Sequence, residues 1–418
     1  MIRMLSKYSS YLVLIAVVLA IVLGIVAPSI FDHIKFLGDL FINLLKLFAL
    51  PLICSALIAA LGNISGNKSS FKTLSTRAIG YMVFSEIMAV TIALCLFNLL
   101  GPGKGGNADL ILHGQPFQAG DHESFGFTQF LISIIPNNVF YSLTNFQLLP
   151  VVIFSILFGL GSSLVGEIAA PVVNFAIGVR EVSAKCLHGV MMIAPLGIFA
   201  LVGAGVASSY LSGDLAANAS ALLAFVVVFL LGLCLHTVWQ LVAVALLSKQ
   251  NIFTILHKSL PVFSTAFGTS SSVATLPVAM HTADKLNANP VVTRFMLPIC
   301  AAINVGGMMM YEVAATLFFA QMLGLDLDLS QQILIAIACI LGGMAEGGIP
   351  ESSMVSLVVV FRIVNIPLSA ISILLPLDRI LDRLRTMVNI FGNMCGVILV
   401  SQWVDKSSET KESLPHKA

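Results

Sequence analysis

Gly342-Gly343-Met344-Ala345-Glu346-Gly347-Gly348-Ile349-Pro350-Glu351-Ser352-Ser353 breaks the middle of an otherwise apolar segment, residues 329–360. Neither flank is long enough to cross a bilayer, because a spanning helix needs about 20 mostly apolar residues. The Gly347-Gly348-Ile349-Pro350 tip is flexible enough to act as a gate. A second segment, 259–280, has the same texture and is broken by Gly268-Thr269-Ser270-Ser271-Ser272. Helix, polar tip, helix is the physical reading of both, which makes them two re-entrant hairpins; two kinked ordinary helices are the alternative. Irregular backbone at membrane depth survives only where it lines protein or a cavity.

Each broken segment is followed by an apolar stretch that reads as a full helix, 293–322 and 369–402. A short-broken-then-long pattern occurring twice points to an inverted-repeat transporter with its site near the midplane. The composition agrees. Of 418 residues 58% are hydrophobic and 10% charged, whereas a soluble domain carries roughly a quarter charged residues, so an ordinary cytosolic enzyme is excluded. A net charge of +1 leaves no electrostatic footprint for nucleic acid. Seven cysteines (54, 95, 186, 234, 300, 339, 395) sit singly in apolar stretches without metal or redox spacing and read as small buried hydrophobes. No metal site and no cofactor is expected.

Residues 8–31 and 47–67 are uncharged and read as the first two spans, followed by apolar helices near 78–100, 126–165, 186–210 and 217–248. The uncharged stretch 124–166 is too long for one crossing and is interrupted by Pro136, Asn137 and Asn138, so a multi-segment element is expected there. The first apolar segment is too long for a signal-peptide core and lacks a small-residue cleavage site, so it is read as part of the mature chain. Arg3 and Lys7, then Lys68, Lys72 and Arg77, Arg180 and Lys185, and Lys249 and Lys258 all fall on one side if the N-terminus is cytoplasmic, while the loop 101–123 is acidic. A multi-pass protein of a cell (plasma or inner) membrane follows, its polar tail 405–418 disordered.

The final helix carries the chemistry. Asp378, Asp382, Arg385, Thr386, Asn389 and Asn393 fall at positions 0, 4, 7, 8, 11 and 15 and so share a helical face. So many polar groups inside an apolar helix are costly unless they face a cavity or each other. The Asp382 carboxylate suits an ammonium and the Arg385 guanidinium fork suits a carboxylate, together a small zwitterion with an extra acid group. An internal ion pair that only holds helices together is the competing use. Arg379 and Arg383, on a neighbouring face, are expected to snorkel to interfacial water. At the first hairpin tip Ser270, Ser271 and Ser272 offer hydroxyls and free backbone N–H groups suited to an anion.

These residues resemble the dicarboxylate/amino-acid:cation symporter family, which includes the glutamate and aspartate transporters. The resemblance covers nearly the whole chain. It rests on Ser270-Ser271-Ser272-Val273-Ala274-Thr275-Leu276-Pro277, the Asn304 stretch, the Gly-Ile-Pro tip, and Asp382-Arg383-Leu384-Arg385-Thr386-Met387-Val388-Asn389, in that order. It implies an all-α polytopic glutamate-transporter fold of eight transmembrane helices and two hairpins with inverted repeats, assembled as a homotrimer. Residues 1–75 and 124–210 would form mainly scaffold and trimer contacts, and 76–100 and 215–404 a transport domain moving like an elevator with the second hairpin as gate. Carried over by position, Asp382 binds the substrate amine and Arg385 its side-chain carboxylate. Thr386 and Asn389 contact the amino-acid backbone, Ser271 and Ser272 the α-carboxylate, and Met308, Gly348, Ile349 and Ser353 complete the pocket. Family members that carry C4-dicarboxylates lack the aspartate and neutral amino-acid carriers lack the arginine, so aspartate or glutamate is the implied substrate.

The family pattern also breaks. Its Asn-Met-Asp-Gly-Thr motif is Asn304-Val305-Gly306-Gly307-Met308 here, and its second sodium-site aspartate is Asn393. Sodium is a hard cation that prefers anionic oxygen, so losing two carboxylates weakens those sites. Carboxylates appear elsewhere: Glu86 mid-span in the third helix, Glu346 and Glu351 around the second tip, and Glu312, which matches a glutamate of proton-coupled members. A carboxyl group buried without a partner is fitted for proton binding, although Glu86, Glu312 and Glu351 also admit purely structural or surface roles. The expectation is an acidic amino-acid carrier that is proton-coupled or uncoupled. Its rivals are a C4-dicarboxylate carrier and a non-transporting sensor or anion channel of the same fold; an enzyme is not expected. His236, alone in an apolar span, is read as structural.

Overall fold

The computed structural model describes residues 2–62, 69–106, 108, 111, 135, 137–145, 148–346 and 353–412. Every regular element among them is a helix. The first seven are α1 (Ile2–Val26), α2 (Ile30–Gly62), α3 (Ser69–Leu100), α4 (Val139–Thr144), α5 (Leu148–Val165), α6 (Ala170–Met192) and α7 (Ala194–Ser212). They are followed by α8 (Leu215–Ser248), α9 (Ile252–Thr269), α10 (Ser272–Lys285), α11 (Pro290–Ile303), α12 (Gly306–Met322), α13 (Leu329–Glu346), α14 (Ser353–Ile363) and α15 (Ala370–Glu412). Six stretches of the described residues are long and apolar enough to cross a bilayer: 76–100, 153–186, 194–212, 215–248, 290–322 and 377–403. The protein is a multi-pass membrane protein.

Local chemistry sets the helix ends. Asn251 caps α9 by accepting from Phe253 N at 2.8 Å, and Asn289 caps α11 by accepting from Val291 N at 2.9 Å, with Pro290 at the first helical position. Gly213 closes α7 at φ 83°, a left-handed turn that favours glycine. Asp328, in the exposed loop before α13, accepts from Gln331 N at 2.8 Å and from the Ser330 hydroxyl at 2.5 Å. Those two donors hold its carboxyl below the usual carboxylate range.

Helices α1, α2, α5, α6 and α7 pack on one another. Glycines bring α2 and α7 close: Gly197 and Gly203 on α7 lie under Phe41 and Phe31, and Gly38 on α2 lies under Leu201. The remaining long helices gather around α15, which packs against α3, α8, α9, α10, α11 and α12. The α12 helix is the deepest, with every residue but Gln321 buried. The two groups meet where α2 and α5 touch α13 and where α7 touches α15.

The structure departs from the sequence reading at four places. Residues 32–46, expected to separate two spans, belong to α2, whose helix starts at Ile30; the charges Asp32, Lys35 and Asp39 lie in its first turns, where they break the apolar run without breaking the helix. The expected full helix 293–322 is interrupted at Asn304 and Val305, which leave helical geometry at φ −100°, ψ 86° and φ −119°, ψ 50°. The polar residues 405–412 of the expected disordered tail continue α15. Arg383, expected only to snorkel, also donates to Phe267 O at 2.9 Å and lies 5.6 Å from the Phe267 ring centroid, which ties α9 to α15 from a half-buried position. The break expected near residue 137 falls between α4 and α5 and before α4; residues 112–134 and 136 lie outside the described residues.

Candidate functional site

The turn between α9 and α10 is built by its serines. Ser270 takes the left-handed conformation at φ 50°, ending α9, and Ser271 caps α10 by accepting from Ala274 N at 3.2 Å. Ser271 O in turn accepts from the Thr275 hydroxyl at 2.8 Å, and Ser272, the first residue of α10, is buried. Helix α10 packs against α15, and its first-turn N–H groups are directed out of the helix end.

On α15 the polar face is buried, with Arg385 1% exposed. Its Nη2 lies 2.5 Å from Asp378 Oδ1, 3.2 Å from Asp382 Oδ1 and 3.1 Å from Ser353 Oγ. Its guanidinium carbon lies 4.1 Å from the Tyr311 ring centroid, a cation–π contact from α12. Nε and Nη1 are buried and lack hydrogen-bond partners among the described residues. A guanidinium with one nitrogen occupied and two open is an anion receptor already oriented by the protein. Thr386 donates to Asp382 O at 2.8 Å.

The α11–α12 break sits against the same helix. Asn304 Nδ2 donates to Asn393 Oδ1 at 2.6 Å, and Gly307 N donates to Asn389 Oδ1 at 2.7 Å. The interruption thus frees polar groups in the core, and α15 satisfies part of them. Asn304 Oδ1 and Asn393 Nδ2 have no partner among the described residues. On α12, Glu312 accepts a short hydrogen bond from Ser356 on α14.

Two further groups converge from α3 and α8. Glu86 on α3 is fully buried, and neither carboxylate oxygen has a hydrogen-bond partner among the described residues. His236 on α8 is 1% exposed; Trp239 Nε1 donates to its Nδ1 at 3.0 Å, and the Gln240 amide lies 2.9 Å from its Nε2. An indole N–H only donates, so Nδ1 of His236 is the acceptor in this contact. A Cβ at Gly306 would stand 3.1 Å from His236 Nε2 and 3.2 Å from Ala89 Cβ. The imidazole therefore occupies the space toward which any side chain at 306 would project.

Residues 10–403 match the sodium:dicarboxylate symporter family. The chain belongs to that family. It is 29% identical over 413 residues to a proton/sodium-glutamate symport protein of Geobacillus stearothermophilus, covering 96% of this chain and 95% of the relative. It is 29% identical over 382 residues to a proton/glutamate-aspartate symporter of Escherichia coli, covering 90% and 86% respectively. A C4-dicarboxylate transport protein of Mesorhizobium japonicum is 28% identical over 413 residues, covering 96% and 90%. These are transporters, not enzymes.

In this member of the symporter family the α11–α12 break and the start of α14 meet the last helix, through Asn304 on Asn393, Gly307 on Asn389 and Ser353 on Arg385. Asp382, Thr386, Gly306 and Met308 are buried alongside, and α10, which carries Ser272, packs on the same helix. Gly348, Ile349 and Glu351 lie outside the described residues, as does the placement of the Glu346 side chain. Sequence reasoning overlooked Asp378 as the nearest partner of Arg385, Tyr311 as the aromatic face beneath it, and Ser356 as the partner of Glu312. It read His236 as structural but did not foresee its partners, Trp239 and Gln240, or the Gln240 contact to Ser85 on α3 at 3.4 Å. The spacing of His236, Trp239 and Gln240 on one face of an apolar helix was the available signal.

Proposed function

We propose that this symporter-family protein is a secondary active transporter of an acidic amino acid, aspartate or glutamate, driven by protons and without a sodium requirement. The observation that carries the reading is the buried Arg385, held by Asp378 on one nitrogen and open on two others, beside the Asp382 carboxylate. An acidic amino acid supplies both complements, a carboxylate for the open guanidinium nitrogens and an ammonium for Asp382. Asn389, Thr386, Ser271 and Ser272 are assigned to its α-amino-acid end, and Met308, Ser353, Gly348 and Ile349 to the pocket wall. The glutamate and aspartate symporters among the relatives support the substrate class.

The charge balance supports protons. Among the described residues Glu86, Glu312, Asp378 and Asp382 are four buried carboxyl groups against one buried guanidinium, Arg385. An anionic substrate adds to the excess, and burying uncompensated charge is expensive; taking up protons removes it. Sodium lacks anionic ligands at the positions where the family provides them: Gly306 has no side chain and faces His236, and Asn393 is a neutral amide bonded to Asn304. Glu86, Glu312 and Glu346 are the assigned proton-coupling groups, with Asn304, Gly306 and Asn393 marking the vacated cation positions.

The mode of motion follows the same reading. The packing of α1, α2, α5, α6 and α7 on one another, apart from the helices around α15, supports a scaffold and an elevator-like transport body. The assembly is a homotrimer in the cell membrane with its N-terminus cytoplasmic, and the fold is eight spans with two re-entrant hairpins, α9–α10 and α13–α14. Liposomes holding the purified protein test the function. L-aspartate uptake is expected to follow a pH gradient at constant sodium and to be indifferent to a sodium gradient at constant pH. Uptake that requires sodium at fixed pH overturns the coupling, and absence of L-aspartate and L-glutamate uptake overturns the substrate. The C4-dicarboxylate relative favours a second reading, in which malate or succinate displaces aspartate and Asp382→Ala leaves dicarboxylate uptake intact.

A further inference from the structure

The buried acid Glu312 and the anion receptor Arg385 stand on different helices, and a third helix joins them. The Ser356 hydroxyl on α14 donates to Glu312 Oε1 and lies 3.1 Å from Ser353 O. Ser353, the first residue of α14, accepts from Arg385 Nη2 at 3.1 Å, and its hydroxyl lies 3.4 Å from Asp378 Oδ1. Ser353, Ser356 and Glu312 are all buried. A continuous hydrogen-bonded path thus runs from Glu312 through two serines of one helical turn to the Arg385–Asp378 pair.

We propose that Ser356 and Ser353 are positioning residues that transmit the protonation of Glu312 to Arg385, so that proton loading sets how the start of α14 holds the carboxylate receptor. This rests on the proton-driven reading above and names the residues through which that coupling passes. A serine has one proton to donate and two lone pairs to offer. While Glu312 is ionised, its carboxylate takes the Ser356 proton, because a charge-assisted bond is the stronger one. Once Glu312 is protonated it becomes the donor, Ser356 accepts, and the Ser356 proton turns to Ser353 O. That second bond fastens the first turn of α14, whose Ser353 hydroxyl meets Arg385. Proton uptake therefore reverses the direction of a bond without breaking it and tightens the helix start that carries Ser353.

Among the described residues, the other buried charged or titratable groups on the helices packed against α12 are Asp378, Asp382, Arg385 and Cys395 on α15, Tyr81 and Glu86 on α3, His236 on α8 and Cys339 on α13, with Tyr311 beside Glu312 on α12 itself; Arg362, at the end of α14, is exposed. Arg385 is the one buried cation in this set, so it is the group through which a charge change at Glu312 reaches an anionic substrate.

The test measures KM and kcat for L-aspartate uptake into liposomes from acid to neutral pH for the wild type, Ser356→Ala, Ser356→Thr, Ser353→Ala and Glu312→Gln. Ser356→Ala is expected to move the midpoint of the KM–pH curve to higher pH by about one unit, a tenfold change in proton affinity, with Ser356→Thr restoring it. Ser353→Ala is expected to leave the midpoint and to shrink the ratio of KM between alkaline and acid pH at least threefold. Glu312→Gln is expected to flatten the curve. If Glu312→Gln flattens it while both alanine variants keep the wild-type midpoint and ratio, the serine path is overturned and proton coupling stands. If Glu312→Gln leaves the curve unchanged, Glu312 is not the coupling group and the path falls with it. Should Ser356→Ala fail to yield monodisperse protein, the ratio in Ser353→Ala decides.

Discussion

Arg385 Nη2 lies 2.5 Å from Oδ1 of Asp378, nearer than the 3.2 Å to Oδ1 of Asp382. Asp378 stands two turns earlier on the same helix, and by occupying one guanidinium nitrogen it fixes the plane of the other two. The aspartate assigned to the substrate amine is thus the more distant of the two carboxylates that anchor Arg385.

Replacing Arg385 by alanine leaves Asp378 and Asp382 buried without their counter-charge. Breaking a buried pair from one side costs about 3–5 kcal/mol, so Arg385→Ala is expected to lower the melting temperature in detergent and to abolish uptake. Asp378→Asn keeps Asp382 as a partner for the guanidinium and is expected to cost less stability, while raising KM as Arg385 loses its orientation. Melting curves together with KM separate the two effects.

Carboxylates returned to the vacated cation positions should behave differently from each other. Asn393→Asp places an anionic acceptor 2.6 Å from Asn304 Nδ2 without added bulk, and sodium stimulation of uptake at fixed pH is the expected gain. Gly306→Asp instead drives a side chain against His236 Nε2 and Ala89 Cβ, 3.1 Å and 3.2 Å from the new Cβ, and overpacking of this kind costs about 1–3 kcal/mol. Loss of monodisperse protein or a lower melting temperature is expected there.

Glu86 is a buried carboxyl group whose oxygens have no hydrogen-bond partner among the described residues. Glu86→Gln keeps the shape and removes the ionisable group. The expected outcome is a protein of equal or higher melting temperature that no longer accumulates aspartate against its gradient when driven by protons, a trade of stability against function. Counterflow exchange in liposomes checks that binding survives.

Gly203 lies under the buried Phe31 ring, in a space that admits no Cβ. Gly203→Ala is expected to force α7 from α2 and to destabilise the protein by about 1–3 kcal/mol, lowering the melting temperature. Because Phe31 and Gly203 pack within the α2–α7 pair and not on Arg385 or its partners, KM for aspartate in the surviving folded fraction is expected to stay unchanged.

Much of the architecture was legible in the chain. The long apolar stretches, the polar Ser270–Ser272 turn and the aligned face of α15 all appear as periodicity or interruption, since each is decided by neighbours close in sequence. The break at Asn304–Val305 was not legible: two glycines and a valine inside an apolar run read as helix, while the partners that receive the broken backbone, Asn389 for the Gly307 N–H and Asn393 for the Asn304 side chain, stand on a helix distant in sequence. The continuation of α2 through Asp32, Lys35 and Asp39 was missed for a related reason, since charge marks exposure and not the end of a helix.

By itself the amino-acid sequence determined that this protein lives in a membrane, which segments are broken and which side chains are too costly to be there without purpose. Those properties follow from transfer energies and helical spacing, which are local. The tertiary structure alone decided the partners: Asp378 as the principal anchor of Arg385, His236 in the space facing Gly306, and Ser356 against Glu312. Asp378 and Arg385 share a face seven residues apart, so spacing brought them near and the structure decided which carboxylate lies closest. The meetings of His236 with Gly306 and of Ser356 with Glu312, the latter across 44 positions of chain, depend on which helix faces meet, and no periodicity encodes that.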